Sequence, residues 1–157
     1  MGEDAGLRQA MEIYGDMVYR LALAQTQSSH DADDVFQEVF LRYLRSAPAF
    51  REEEHRKAWL LRVTVNCCKK LHGSFWRRHT VALSEAIPAR DQEEQELLSL
   101  LEGLPQKYRA VLHLYYYEGY DTGEIAVILG RSPNTVRSQL ARGRALLRDA
   151  WKGAEEL

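Results

Sequence analysis

Apolar positions along the chain recur at intervals of three and four and nowhere alternate with period two, which predicts helices throughout and essentially no sheet. Leu7, Met11, Tyr14, Val18, Leu21 and Ala22 mark a first amphipathic helix ending near Thr26. After a polar turn, Ser29 is the expected N-cap of a second helix. Asp31, Asp33 and Asp34 fall in its first turns, where carboxylates suit the helix dipole, and Val35, Phe36, Val39, Phe40, Tyr43 and Leu44 form its inward stripe. Pro48 breaks the pattern, so residues 46–54 read as a loop. A third helix is predicted from about His55 to His72, with Ala58, Leu61, Val65, Cys68 and Leu71 in register, Trp59, Val63 and Cys67 broadening the stripe, and Gly73 as its stop. Residues 81–92 lack periodicity, contain Pro88 and turn acidic, which predicts a linker. A helix through Leu97, Leu98 and Leu101 follows, then a break at Gly103, Leu104 and Pro105. Pro105 opens another helix through Val111, Leu112, Leu114 and Tyr115, which Gly119 ends.

The most informative stretch is 120–148, where the apolar spacing and the turn chemistry agree. Asp121 and Glu124 have capping-box spacing. Ile125, Ile128 and Leu129 share one face, Ala126 is small enough for a close helix crossing, and Gly130 stands where a left-handed stop is needed. Ser132 and Pro133 are an N-cap and a first-turn proline for a second helix. Val136, Leu140 and Leu147 face inward there, leaving Asn134, Thr135, Arg137, Ser138 and Arg142 outside. Two short helices with this turn, and an outer set of Asn, Arg and small hydroxyls, have the geometry of a helix-turn-helix able to read base edges and hold phosphates.

The net charge of −2 argues against a nucleic-acid partner until it is mapped along the chain. Residues 31–54 hold seven acids against three arginines, while 55–84 hold seven Lys or Arg and no acid. Residues 85–102 hold six acids against Arg90, and 131–152 hold six Lys or Arg against Asp149. Two separate basic surfaces on segments of different pattern point to two nucleic-acid contacts. No apolar run approaches the roughly 18 residues of a membrane span, and no signal-peptide core is present, so a cytoplasmic protein is expected. Adjacent Cys67 and Cys68 offer neither a disulfide framework nor a metal site, and neither a metal nor a cofactor is expected.

Other candidate chemistry is weaker. The outer face of the second helix shows Asp34, Gln37, Glu38 and Leu41, either solvated or a docking surface for a basic helix. Phe75 and Trp76 beside Arg77 and Arg78 suit single-stranded bases or, equally, the sealing of a bundle. An enzyme using Cys67 or Cys68 with His72 lacks an orienting third group or an oxyanion site. Neighbouring Asp33 and Asp34 diverge by about 100° on a helix and cannot face each other as an acid–base pair. A dimeric helix-turn-helix regulator is the main alternative.

The combination and order of segments resemble the extracytoplasmic-function group of sigma-70-type RNA polymerase sigma factors over nearly the whole chain. DADDVFQEVFLRYLR is similar to the segment by which these factors grip the polymerase clamp, KAWLLRVTVNCCKKLHGSFWRR to the segment that opens and reads the minus-ten element, and LPQKYRAVLHLYYYEGYDTGEIAVILGRSPNTVRSQLARGRALLR to the minus-thirty-five domain. The resemblance implies an all-α fold of two small bundles, 1–80 and 93–157, joined by the linker 81–92. It implies polymerase contacts at Asp33, Asp34, Gln37, Glu38 and Leu41. It places minus-ten contacts at Trp59, Arg62, Asn66, Lys69, Lys70, Arg77 and Arg78, with residues 46–54 as the loop that holds a flipped base. Minus-thirty-five contacts fall at Arg131, Pro133, Asn134, Thr135, Arg137, Ser138 and Arg142. The implied partners are the β and β′ subunits of core RNA polymerase, promoter DNA and an anti-sigma factor, with no catalysis. Val65 and Lys70 depart from the family pattern, which often has Arg and Asp there.

Overall fold

A computed structural model describes residues 2–72 and 92–155, and these contain helices and no strand. The helices are α1 (Gly2–Thr26), α2 (Ser29–Ser46), α3 (Glu53–His72), α4 (Gln92–Leu101), α5 (Gln106–Leu112), α6 (Thr122–Leu129) and α7 (Pro133–Glu155), with a π-helical turn over His113–Tyr117 after α5. The expected linker lies, apart from Gln92, outside the described residues, as do the expected stop at Gly73 and the Phe75–Trp76 pair.

Helix α1 packs on α2 and α3 on one side and on α4 and α5 on the other. Its second half is therefore wrapped. Leu21, Ala22, Leu23 and Ala24 are all fully buried, and Gln25 nearly so. A helix buried all round has lost the one-sided character expected of it. Nearer its start the reverse holds, for Met11, expected inward, is 38% exposed. Leu44 of α2 is likewise exposed rather than core.

Helix α2 begins one residue earlier than expected in its cap. Gln27 takes a positive φ of 60° and Ser28 is extended, so it is the Ser28 hydroxyl that accepts from the Asp31 N–H at 3.2 Å. Ser29 is buried in the first turn instead. The loop before α3 is correspondingly short, with Glu53 and Glu54 already in the first turn of α3. The Tyr14 hydroxyl donates to Glu53 Oε2 at 2.6 Å, tying α1 to that turn, and burial together with this carboxylate pushes its pKa up to about 12.

Helix α3 is covered by α1 and α2 and, on a further side, by α6. Leu60 and Thr64, outside the expected stripe, are consequently fully buried, and the Thr64 hydroxyl donates to the Leu60 carbonyl at 2.6 Å. The helix-turn-helix forms as its caps predict. The Glu124 N–H donates to Asp121 Oδ1 at 2.8 Å and the Asp121 N–H to Glu124 Oε1 at 3.1 Å, a complete capping box. Gly130 has φ 66°, and a Cβ there would stand 2.6 Å from the Arg62 guanidinium. The Ser132 hydroxyl accepts from the Thr135 N–H at 3.1 Å. Val136 and Leu140 are buried, Leu147 half so, and Gly143 lets α7 lie against Leu112, whose Cδ1 would be 3.0 Å from an added Cβ. Replacing Asp121 with alanine is expected to lower stability by about 1 kcal/mol in urea denaturation, the usual worth of a cap. An unchanged midpoint would show that the box contributes nothing.

Candidate nucleic-acid interface

The exposed side of α7 is built by the turn before it. With Gly130 left-handed and Ser132 capping, the first turn of α7 projects Pro133, Asn134, Thr135, Arg137 and Ser138 into solvent, and Arg142 follows on the same helix. Arg137 Nη2 donates to Asn134 Oδ1, so the two side chains are held together along the face. Arg131 differs from its neighbours. It is half-buried, its Nη1 donates to Gln139 Oε1 at 2.7 Å and reaches the Lys107 carbonyl at 3.5 Å, and burial pulls it below the usual guanidinium range. It staples the turn to α5 and α7 as much as it offers a cation.

A shallow groove beside this face is lined by Asn134, Thr135, Ser138 and Arg142, but also by Lys107, Tyr108 and Gln139. A hydrogen bond from Arg142 to the Tyr108 hydroxyl holds that phenol below its usual range. Lys107 and Tyr108 lie on α5, and periodicity along α7 could not have brought them here. The only available signal was the cation in QKYR. Arg144 was also missed: its Nε donates to the exposed Tyr116 hydroxyl at 2.5 Å, and its guanidinium lies over the Tyr115 and Tyr116 rings at 5.2 and 5.6 Å.

On α3, Arg62, Asn66, Lys69 and Lys70 are exposed at spacings that keep them on adjoining turns. Val65 is buried beneath them. Trp59 is half-buried in a ring cluster, with centroids 6.0 Å from Tyr43 and 5.9 Å from Phe50, and Arg56 lies 5.6 Å over Phe50. Phe50 belongs to the loop between α2 and α3, so aromatic packing joins that loop to the base of the cationic face. The structure brings this face against the helix-turn-helix. Arg62 abuts Gly130, and Lys69, though its side chain is exposed, is held below its usual range by partial desolvation and by the nearby charge of Arg131. Arg77 and Arg78 lie outside the described residues.

Helix α2 turns its remaining side outward. Asp33, Asp34 and Glu38 are half-buried and Gln37 exposed, while Leu41 is 43% exposed. Glu38 Oε1 accepts from Arg42 Nε at 3.0 Å, and Asp34 stands 3.8 Å from His30. Asp34, Glu38, Arg42, Cys67 and Lys70 line a recess between α2 and α3. Burial pushes both thiols up, Cys68 well above the ordinary range, so neither cysteine is a poised thiolate.

Comparison with known proteins gives two adjoining matches in one order: the family described as Sigma-70 region 2 over residues 10–80 and that described as Sigma-70, region 4 over residues 94–147. The ECF RNA polymerase sigma factor SigM of Mycobacterium tuberculosis is 30% identical over 151 residues, covering 93% of this chain and 77% of that protein. The chain belongs to the ECF RNA polymerase sigma factors. A further relative, the sigma factor SigE of Mycolicibacterium smegmatis, is 34% identical over 149 residues, covering 87% of this chain, and the match spans 58% of that relative's length. Among solved structures, a CnrH chain in complex with the cytosolic domain of CnrY is similar with a TM-score of 0.71 and 24% identity, covering 96% of this chain and 90% of that one. The sigma factor RpoE of Bartonella quintana, in complex with the anti-sigma factor NepR, has a TM-score of 0.72 at 18% identity, covering 92% and 96%. At these identities the two structures speak for the fold of this sigma factor. In its sequence order, the region 2 match contains the α2 and α3 faces, and the region 4 match contains the helix-turn-helix.

Proposed function

We infer that this sigma factor docks on core RNA polymerase through α2 and directs it to promoters through α7 and α3. The observation that carries this is the presence, on one chain, of both sigma regions with an exposed cationic face in each. Residues 1–80 and 93–157 serve as the two working domains, with 81–92 as their linker. The acidic face of α2, with Asp33, Asp34, Gln37, Glu38 and the apolar Leu41, suits a basic helix of the polymerase. The first turns of α7, with Asn134, Thr135, Arg137 and Ser138, suit the major groove of the minus-thirty-five element. Arg62, Asn66, Lys69 and Lys70 suit a melted strand, and the Trp59–Phe50–Tyr43 cluster suits an unstacked base at the minus-ten element. Extruding such a base costs a few kcal/mol, and holding both DNA contacts on one enzyme makes two weak contacts act together.

The protein works without catalysis of its own, a reading supported by its match to both sigma regions. Action with the polymerase places it in the cytoplasm; among the described residues no helix is long and apolar enough to cross a membrane. An anti-sigma factor is its expected regulator. Run-off transcription with purified core enzyme on a promoter library tests the reading. Transcripts from a defined subset of promoters, dependent on this chain, are expected; core enzyme that gains no promoter selectivity would refute it.

A further inference from the structure

Arg144 lies outside the row of α7 side chains aimed at base edges, yet the structure holds it from two sides. Its Nε donates to the Tyr116 hydroxyl at 2.5 Å, and its guanidinium lies over the Tyr115 and Tyr116 rings at 5.2 and 5.6 Å. The two rings stand edge to face, with centroids 4.9 Å apart and an interplanar angle of 76°. They are presented by the π-helical turn over His113–Tyr117, whose wider winding re-aims side chains that an unbroken α-helix would send elsewhere. Tyr116 is nonetheless 58% exposed and Arg144 only half-buried, so the contact is at the surface and not part of a core.

A matching arrangement stands on the other flank of α7. There Arg142 is hydrogen-bonded to the Tyr108 hydroxyl, beside Lys107 in the shallow groove. At about 100° per residue, Arg142 and Arg144 diverge by about 200° around the helix. Exposed Asn134 and Ser138 fall on the arc between them, and buried Val136 and Leu140 on the opposite arc. A major groove roughly 12 Å wide has a sugar–phosphate backbone along each side of the helix it admits. Arg144 lies roughly 15 Å along the axis from Asn134 at about 1.5 Å per residue, where a helix whose first turns read bases meets backbone instead. A tyrosine hydroxyl that takes the Nε proton leaves the terminal amines of the guanidinium as a fork for phosphate oxygens. A cation already held by its neighbours also loses little freedom on binding. We propose that Tyr116 and Arg144 form a phosphate-holding site for the backbone on the flank of the minus-thirty-five duplex opposite Lys107. The site carries no sequence information; it fixes the depth and register at which α7 reads the bases. The proposal rests on the reading of α7 as the minus-thirty-five helix and deepens it.

The test uses the full chain assembled with core enzyme, on a promoter duplex recovered from the run-off library, with affinity read by fluorescence anisotropy over a range of salt. Arg144→Ala is expected to weaken promoter binding about tenfold, as the loss of a charged hydrogen bond does. The loss should be the same on duplexes with single changes in the minus-thirty-five element, and the salt slope should fall by about one. Tyr116→Phe keeps the ring and the cation but no longer aims it, so about threefold weaker binding with an unchanged slope is expected. Arg144→Lys should likewise keep the slope and lose affinity, since an ammonium lacks the fork. Urea denaturation of each variant reads the fold separately; stacking that served stability alone would lower the midpoint and leave the slope as it was. An Arg144→Ala holoenzyme of wild-type slope, a loss confined to one base of the element, or a Tyr116→Phe variant of unchanged affinity overturns the phosphate site. Arg137→Ala separates the two readings. If it relaxes the preference among minus-thirty-five sequences while Arg144→Ala changes nothing, the phosphate site falls and the reading of α7 stands. If a duplex with a scrambled minus-thirty-five element binds as well as the promoter, the reading of α7 falls and takes the phosphate site with it.

Discussion

Replacing Arg109 with methionine is expected to cost the folded chain about 3 kcal/mol, because hydrogen bonds from a charged donor are worth ~1.5–3 kcal/mol each and their buried acceptors are left unpaired. Arg109 is only 9% exposed, and its two terminal nitrogens donate to the Leu104 carbonyl at 3.0 Å and the Gln25 carbonyl at 2.7 Å. Burial lowers its pKa, but an arginine remains charged at any pH the protein meets. Methionine fills a similar volume, so the loss reports the hydrogen bonds rather than a cavity. The Gln25 carbonyl would keep only the Gln106 amide. Urea denaturation should show the full loss, and thermal denaturation a melting point lower by about 6–12 °C for a chain of this size. Arg109→Lys, with a compact ammonium in place of a fork, is expected to recover only part. A methionine variant within about 0.5 kcal/mol of wild type would mean the guanidinium is not needed where it sits.

Arg109 also shows what sequence periodicity leaves out. Its position in QKYRAVL gave no reason to expect a partner 84 residues earlier, since a helix-terminal carbonyl meeting a distant cation leaves no local trace. Features that depend on three or four neighbouring residues were legible. The Asp121–Glu124 box, the left-handed Gly130 and the Ser132 cap all form where turn chemistry puts them. The Ser28 cap was misplaced by one residue because two serines stand side by side, and the choice falls to the positive φ at Gln27. Burial was legible where a helix has one covered face, as in α2 along Val35, Val39 and Phe40. It failed where a helix is covered on several sides. Leu23, Leu60 and Thr64 are buried because the second half of the chain packs on the first, and no periodicity within one helix reports that. The groove residues Lys107 and Tyr108 were missed for the same reason.

The α2 face, by contrast, separates cleanly from stability, which makes its test sharp. Glu38→Lys is expected to weaken binding to core polymerase by about thirtyfold or more, close to 2 kcal/mol. The substitution removes an acid from the outward row of Asp34, Glu38 and Leu41 and sets a cation beside Arg42, with which Glu38 now pairs at 3.0 Å. A basic partner helix would meet repulsion where it had met attraction. The folded chain itself should hardly notice. Glu38 is half-exposed, its pairing with Arg42 is a surface i,i+4 contact worth ~0.3–0.5 kcal/mol, and the buried stripe of α2 is untouched. Fluorescence anisotropy with labelled chain and purified core enzyme reads the binding, and urea denaturation reads the fold. Because steering by surface charge is screened within about 10 Å at 0.1 M salt, the deficit should narrow as salt rises. Core binding that survives Glu38→Lys at low salt, in a chain of normal stability, would move the polymerase contact off α2 and leave its acids as ordinary solvated residues.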